Sequence, residues 1–132
     1  MNEQFQNACK RIEQKTPPIW FMRQAGRYHS HYRKLKEKWT FEQLCKLPNL
    51  ACEVALGPIK EFDYDVAILF SDILWPIEGL GIPLKFDPGP KFEYNLTEQN
   101  ADELSDIDKA IEFLHFQTEA VEMTRQRLAN NK

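Results

Sequence analysis

An apolar run that stops abruptly at two arginines constrains this chain more than any other feature. Residues 19–22 are large and apolar, follow a Pro-Pro pair, and lead directly into the sequence Arg23-Gln24-Ala25-Gly26-Arg27. A run of this composition is typical of a strand buried in a parallel sheet. Because a buried strand cannot continue into charged residues without leaving the core, the sequence predicts that both arginines lie at the carboxyl end of a strand.

A second apolar run, residues 66–70, precedes Ser71 and Asp72. The long segment between the two runs has mostly helical patterns, which favours a β-α-β unit with a right-handed crossover. Parallel strands end at the same edge of their sheet. We therefore expect Arg23, Arg27 and Asp72 to meet at that edge.

Helical patterns account for much of the remaining chain. Apolar residues recur at helical spacing within residues 2–14, which predicts an amphipathic helix. Thr40 and Gln43 fit a capping box that opens a second helix, and the segment after Pro48 is predicted to be a further helix capped by Asn49. The apolar face of that further helix is predicted to comprise Leu50, Ala51, Val54, Ala55, Ile59 and Phe62.

Prolines and glycines shape the rest of the pattern. Pro58 is expected to kink its helix rather than end it, because the apolar spacing continues beyond it. Residues 84–86 and 91–94 alternate within a Pro- and Gly-rich loop, which predicts a small hairpin. Ser105 and Asp108 are predicted to open the last helix. Its apolar face is predicted to comprise Ile107, Ile111, Leu114, Val121 and Leu128.

Composition limits the size and the partners of the protein. The chain has 132 residues, 42% of them hydrophobic, with no internal repeat or linker, so residues 1–132 are predicted to form one domain or part of one. A net charge of −3 argues against a general nucleic-acid or membrane-surface binder. The chain shows neither a targeting signal at its N-terminus nor an apolar run of membrane-spanning length, which predicts a soluble cytoplasmic protein.

The cysteines and histidines form no metal-binding motif in the sequence. Cys9, Cys45 and Cys52 lack a C-x-x-C spacing and are predicted to be reduced, buried thiols. His29 and His31 are two positions apart, and such side chains do not share a helical face, so surface or loop positions are favoured over a metal pair. Neither a metal site nor a cofactor is predicted.

The arginines and Asp72 each allow two interpretations. Two guanidinium groups four residues apart can clamp carboxylates bidentately, and Gly26 would let a ligand approach the backbone. A structural cluster of salt bridges is the alternative. Asp72 is either a functional carboxylate aimed into a cleft or a cap for the segment that follows, which is the commoner role for a Ser-Asp pair.

Residues 18–28 resemble the N-terminal signature of the uroporphyrinogen decarboxylase family, and residues 67–74 resemble its second signature, in the same order and at a similar spacing. The resemblance implies an α/β fold, namely the N-terminal part of a (β/α)8 TIM barrel, active as a homodimer with no cofactor. The implied reaction removes carbon dioxide from the four acetate side chains of uroporphyrinogen III, a tetrapyrrole polycarboxylate, and gives coproporphyrinogen III in haem synthesis.

The resemblance also implies residue roles. The substrate-binding residues that it implies are Arg23, Gln24, Ala25, Gly26, Arg27 and Asp72. Asp72 would accept hydrogen bonds from the pyrrole N–H groups. As a preorganised carboxylate it would also stabilise the cationic pyrrole that forms when a ring carbon is protonated. Arg23 is the arginine expected to position or protonate the reacting centre.

Two features depart from the family pattern. The family commonly has Leu-Pro-Glu where this chain has His29-Ser30-His31, and no third strand follows residues 66–70. The chain is therefore expected to be the first part of a larger enzyme and to be inactive alone. Two alternatives are a corrinoid-dependent methyltransferase-like barrel, which would need a downstream His-x-Cys zinc site, and a noncatalytic truncated module.

Overall fold

Short helices and one small hairpin make up the described part of the chain. The computed structural model describes residues 2–22 and 26–128, and within them helix and strand are mixed. The helices are α1 (Glu3–Cys9), α2 (Ser30–Lys36), α3 (Phe41–Lys46), α4 (Pro48–Phe62), α5 (Trp75–Gly79), α6 (Ile107–Phe113) and α7 (His115–Arg127), with a 3-10 turn at Ala101–Glu103. The strands are β1 (Leu84–Phe86) and β2 (Pro90–Phe92).

The start of α3 confirms the predicted capping box. The Gln43 amide donates to Thr40 Oγ1 at 3.2 Å, and the Thr40 amide donates to Gln43 Oε1 at 2.9 Å. Two backbone N–H groups that a helix leaves unpaired at its first turn are thereby satisfied. The local sequence determines where α3 begins.

α4 begins one residue earlier than its predicted cap. Leu47 is the N-cap and Pro48 is the first helical residue, so the prediction that Asn49 caps this helix is wrong. Proline is favoured at that position because its missing N–H is one that a helix leaves unpaired anyway. Pro58 lies inside the helix, which continues to Phe62, as the apolar spacing predicted.

α4 is the central element of the core, and it packs against α7, α3 and α2. Its buried residues are Leu50, Ala51, Cys52, Val54, Ala55, Leu56, Gly57 and Pro58. Ile59 and Phe62 of the predicted face lie nearer the surface. A central helix that is apolar on most sides suits a position between several neighbours.

A second cluster surrounds Trp75, which is fully buried with Cys45 and Leu84. The predicted hairpin forms there, because β1 and β2 pair antiparallel with Leu84 opposite Phe92. The Phe86 ring lies 5.2 Å from the Trp75 ring, and the Phe86 amide donates to Glu42 Oε1 at 3.1 Å. The hairpin is thus attached to α3 and α5.

The last helical segment consists of two helices instead of the predicted one. Asp106, not Ser105, caps α6, since its side chain accepts a hydrogen bond from the Lys109 amide at 2.9 Å. That bond holds the pKa of Asp106 below its ordinary value. The chain turns at Leu114 before α7 begins at His115.

The apolar face predicted for this segment is confirmed only in part, since Leu114 and Leu128 are half-buried and Leu114 packs against the cluster around Trp75. Its large residues Ile107, Ile111 and Val121 are exposed. The side chains buried in α6 and α7 are Ala110, Ala120 and Thr124. Small side chains allow α7 to approach α4 closely, and this packing outweighs the periodicity of the larger residues.

Neither predicted parallel strand forms in the described residues. Residues 17–21 and 66–72 are irregular, and Met22 and Phe70 are 73% and 64% exposed. Within the described residues, the one backbone–backbone hydrogen bond between the two segments lies where they begin, from the Asp65 amide to the Ile19 carbonyl at 3.2 Å. A parallel ladder needs successive backbone bonds and cover on both faces, and one bond at the start does not supply them.

The N-terminal helix is shorter than predicted and buries none of its residues. Asn2 caps it and also donates from Nδ2 to Asp65 Oδ1 at 2.8 Å, which ties the helix to the start of the second apolar run. Cys9 is exposed, contrary to prediction, whereas Cys45 and Cys52 are buried free thiols. Among the described helices, none is both long and apolar enough to cross a membrane.

Candidate functional site

A cleft of about 660 Å³ lies beside the predicted arginine turn. Arg27 and Tyr28 are exposed on its wall next to Gly26. The other lining residues are Trp20, Tyr32, Phe41, Leu44, Cys45, Val54, Ala55, Pro58, Ile68 and Phe70. The cleft is therefore apolar and aromatic, with a guanidinium group at its surface. Three predicted site residues lie outside the described residues: Arg23, Gln24 and Ala25.

The backbone of the turn is held by the start of α2. The His29 amide donates to the Gly26 carbonyl at 3.0 Å. Arg33 Nη1 donates to the carbonyl of Tyr28 at 3.2 Å and to that of Arg27 at 3.4 Å. We call residues 26–28 the arginine loop. Arg33 therefore donates hydrogen bonds to two of its carbonyl groups.

His29 lies in the loop before α2, as one of the two predicted positions has it, but it is buried and not at the surface. It is 1% exposed, and its Nε2 lies 2.7 Å from Glu61 Oε2 in the last turn of α4. Its ring lies 5.5 Å from the Phe62 ring. Among the described residues, none provides a hydrogen-bond partner for the other ring nitrogen, Nδ1. Within the part of the chain that the structure describes, the His29 side chain thus has one hydrogen-bond partner, the Glu61 carboxylate.

Gly57 explains how the histidine fits against α4. A Cβ at Gly57 would lie 3.2 Å from Cε1 of His29 and 2.6 Å from Cδ2 of His31. The absent side chain therefore makes the space that both imidazole rings occupy. This role was not evident from the sequence, where a glycine inside a helical pattern was the available signal.

His31 is partly exposed, at 34% for its side chain, and its Nε2 lies 3.8 Å from Glu53 Oε1. The His29 and His31 rings are 5.8 Å apart. The described residues contain no group of three His, Cys, Asp or Glu side chains arranged to hold a metal ion. The two rings are thus neighbours in the intramolecular packing contact between the start of α2 and α4.

Asp72 occupies a turn before α5. It is half-buried, and its Oδ1 accepts a hydrogen bond from the Leu74 amide at 2.9 Å. Ser71 beside it accepts from Trp75 Nε1 at 3.0 Å and from Gln117 Nε2 at 3.3 Å. Asp72 does not cap α5, whose N-cap is Leu74 and has no side-chain cap; its Oδ1 instead stabilises the turn that leads into the helix. The buried tryptophan holds Ser71, the residue next to it.

Cys45 connects Asp72 to the cleft. Its side chain lines the cleft, and burial raises the pKa of its thiol to about 12, with the charge of Asp72 acting in the same direction. The structure thus places Arg27 on the wall of the cleft and Asp72 beside a thiol in that wall. Asp72 itself is not among the residues that line the cleft, so a polyanionic ligand with an apolar ring system would meet a cation and aromatic groups there.

Comparisons with known proteins give one result. A family model described as Uroporphyrinogen decarboxylase (URO-D) matches residues 1–132. The uroporphyrinogen decarboxylases of Geotalea uraniireducens and Citrifermentans bemidjiense are 41% identical over 130 residues and 43% identical over 129 residues, each match covering 98% of this chain and 38% of the relative. That of Thermodesulfovibrio yellowstonii is 48% identical over 98 residues, which are 73% of this chain and 29% of the relative.

The chain therefore spans less than half the length of these curated relatives. The family model nevertheless covers it from end to end. The arginine turn and the Ser-Asp pair that suggested the resemblance both lie within the match. The chain belongs to the uroporphyrinogen decarboxylase family.

Proposed function

We propose that this chain serves in a uroporphyrinogen decarboxylase, which converts uroporphyrinogen III to coproporphyrinogen III by removing four acetate carboxylates as carbon dioxide. The observation that supports this proposal most is the family match over residues 1–132. Because the chain spans 38% of the relatives that it matches along its length, the complete activity is assigned to a whole enzyme of this kind. The chain alone is expected to be inactive.

Arg27 would bind substrate carboxylates. Its side chain is exposed on the cleft wall, and its guanidinium group carries a permanent charge and a planar fork of donors that suits carboxylate oxygens. The substrate carries eight carboxylates, so a single cation is not enough. We propose that Arg23 and the backbone of residues 24–26 complete the clamp.

Asp72 would act at the centre of the macrocycle. Protonation of a pyrrole ring carbon makes a cation, the bond to the departing carboxylate then breaks, and its electron pair neutralises the ring. A nearby carboxylate stabilises that cation. One hydrogen bond, from the Leu74 amide, leaves acceptor capacity for pyrrole N–H groups, because a carboxylate has about four acceptor positions.

The proposal includes the (β/α)8 barrel, the homodimer and the cytoplasmic location of the complete enzyme. One contact supports the barrel. Residues 19–22 and 66–70 start side by side, where the Asp65 carboxylate accepts from the Ile19 amide at 2.8 Å and the Asp65 amide donates back to the Ile19 carbonyl. Adjacent first and second strands of a barrel would begin next to each other in this way.

A chimera tests the proposed activity. In it, this chain replaces the matching segment of the Geotalea uraniireducens relative, and the purified protein is given uroporphyrinogen III. We expect coproporphyrinogen III to form, and we expect Asp72→Asn to lower turnover by about 100-fold while preserving shape, since one preorganised charge is lost. Chromatography of the oxidised porphyrins measures both.

Two further variants of the chimera serve as a control and as a test of Arg27. Asp102→Asn changes an exposed carboxylate in the 3-10 turn and is expected to leave turnover unchanged. Arg27→Gln is expected to raise the KM about tenfold or more, because a charge-assisted contact is lost. A folded chimera that releases no carbon dioxide would contradict the proposed function, and near-normal turnover in Asp72→Asn would contradict the role of Asp72 alone.

A further inference from the structure

His29 connects the arginine loop to the core. His29 follows Tyr28 directly, and its amide donates to the Gly26 carbonyl at 3.0 Å. Its side chain is also 1% exposed, whereas Arg27 and Tyr28 are exposed. The same residue therefore closes the loop through its backbone and enters the core through its ring.

The ring of His29 is enclosed on several sides. Phe62 lies 5.5 Å from it between ring centres, and the backbone of α4 at Gly57 leaves no room for a methyl group without contact at 3.2 Å. The His31 ring lies 5.8 Å away. A ring enclosed in this way cannot rotate far without disturbing α4.

The hydrogen bond to Glu61 fixes the direction of the ring. An ionised carboxylate only accepts hydrogen bonds, so Nε2 is the protonated nitrogen of the pair at 2.7 Å. A bond of this kind to a charged acceptor is stronger than a neutral one, and a buried donor that loses its partner carries a desolvation penalty. Rotation of His29 away from Glu61 is therefore unfavourable.

We propose that His29 and Glu61 are positioning residues that hold the arginine loop against α4 and so direct Arg27 toward the cleft. Arg33 holds the outer side of the same loop through the carbonyls of Arg27 and Tyr28. This role in ligand binding rests on the proposed function, in which Arg27 binds carboxylates. The effect on the loop itself does not depend on any ligand.

Amide hydrogen exchange of the purified chain tests the effect on the loop without a ligand. His29→Leu keeps an apolar side chain of similar size but has no donor for Glu61, whereas His29→Gln keeps an N–H at a comparable distance. We expect exchange in a peptide covering residues 26–29 to become about tenfold faster in His29→Leu and to stay near wild type in His29→Gln.

A matched control is available on α7. His115 Nδ1 lies 3.1 Å from Glu119 Oε1, and both side chains are more than half exposed, so this pair contributes little. His115→Leu is expected to leave exchange in residues 26–29 unchanged. Unchanged exchange in His29→Leu overturns the proposal. An equal acceleration of exchange over the whole chain also overturns it, because it would show a general loss of stability.

Binding of uroporphyrin, a fluorescent porphyrin with eight carboxylates, tests the ligand role. We expect His29→Leu to weaken the affinity of the protein for uroporphyrin about fivefold when Arg27 is present. In the Arg27→Gln background we expect His29→Leu to have no further effect on this affinity, since the histidine acts through the arginine. Equal effects in both backgrounds overturn the positioning of Arg27. If the wild-type chain and the chimera both fail to bind uroporphyrin, the proposed function fails, while the exchange result still decides whether His29 holds the loop.

Discussion

Cys45 and Arg27 line the same cleft but differ in their exposure to solvent. Arg27 is exposed, whereas Cys45 is buried and its thiol pKa is raised to about 12. The sequence identified Arg27 from its spacing and its residue type. It identified Cys45 only as a buried thiol, because burial next to Asp72 depends on how α3 meets the turn at residues 71–74.

The raised pKa of Cys45 predicts a loss of stability at alkaline pH. The unfolded thiol ionises above its ordinary pKa of 9.0, while the folded thiol stays protonated up to about 12. In that range the unfolded state has fewer protons, so the free energy of unfolding falls as pH rises, by up to about 1.4 kcal/mol per pH unit. Below pH 9 the group contributes no such slope.

Urea unfolding at pH 8 and pH 10 measures this effect. Cys45→Ala should lose less stability between the two pH values than the wild type, whereas Cys9→Ala should match the wild type because Cys9 is exposed. Tyr32, whose pKa is raised from 10.0 chiefly by burial, accounts for a remaining loss that begins at higher pH. An identical loss in Cys45→Ala and the wild type would show that the thiol is not the cause.

At the scale of single elements, α4 combines a core function with support of the site. Its inner residues pack against α7 and α3, while Gly57 and Glu61 contact the start of α2. The apolar spacing predicted the existence of this helix and its passage through Pro58. It did not predict that a glycine on the helix would receive two histidine rings, since that depends on the approach of a different element.

Gly57→Ala is expected to destabilise the protein by about 1–2 kcal/mol. Alanine in a helix interior is favoured over glycine by about 1 kcal/mol, but its Cβ would lie 2.6 Å from Cδ2 of His31 and 3.2 Å from Cε1 of His29. His31 is partly exposed and can move, whereas buried His29 cannot. The overpacking therefore exceeds the gain in helix propensity.

Urea unfolding of three variants checks this balance. Gly89→Ala is the matched control, because a Cβ at Gly89 meets nothing within 4 Å. His31→Ala in the Gly57→Ala background should recover part of the lost stability by making space. A Gly57→Ala protein as stable as the wild type would show that the contact between α2 and α4 adjusts freely.

At the scale of the whole molecule, α3, the hairpin and the turn before α5 meet around Trp75. This residue is fully buried, its ring lies beside Phe86 of the hairpin, and its Nε1 donates to Ser71 before Asp72. Lys46 Nζ lies 4.6 Å from the centre of its ring. One side chain thus joins α3, the hairpin and the turn that carries the proposed catalytic carboxylate.

Trp75→Phe is expected to destabilise the protein by about 1–3 kcal/mol, because the ring shrinks and the donor to Ser71 is lost. Trp39→Phe is the control, since Trp39 is 38% exposed, and its effect should be within about 0.5 kcal/mol. Thermal unfolding followed by circular dichroism measures both. Equal midpoints for the two variants would contradict the central position of Trp75.

The sequence by itself determined the features that depend on neighbouring residues. The capping box at Thr40, the hairpin, and the passage of a helix through Pro58 follow from local hydrogen bonding and local spacing, and the arginine turn with the Ser-Asp pair led to the family. Tertiary structure alone decided the features that need a distant partner. Small residues of α7 face α4, residues 19–22 and 66–70 form no ladder, and His29 is buried on Glu61, because packing and pairing between distant elements outweigh the preference of any single segment.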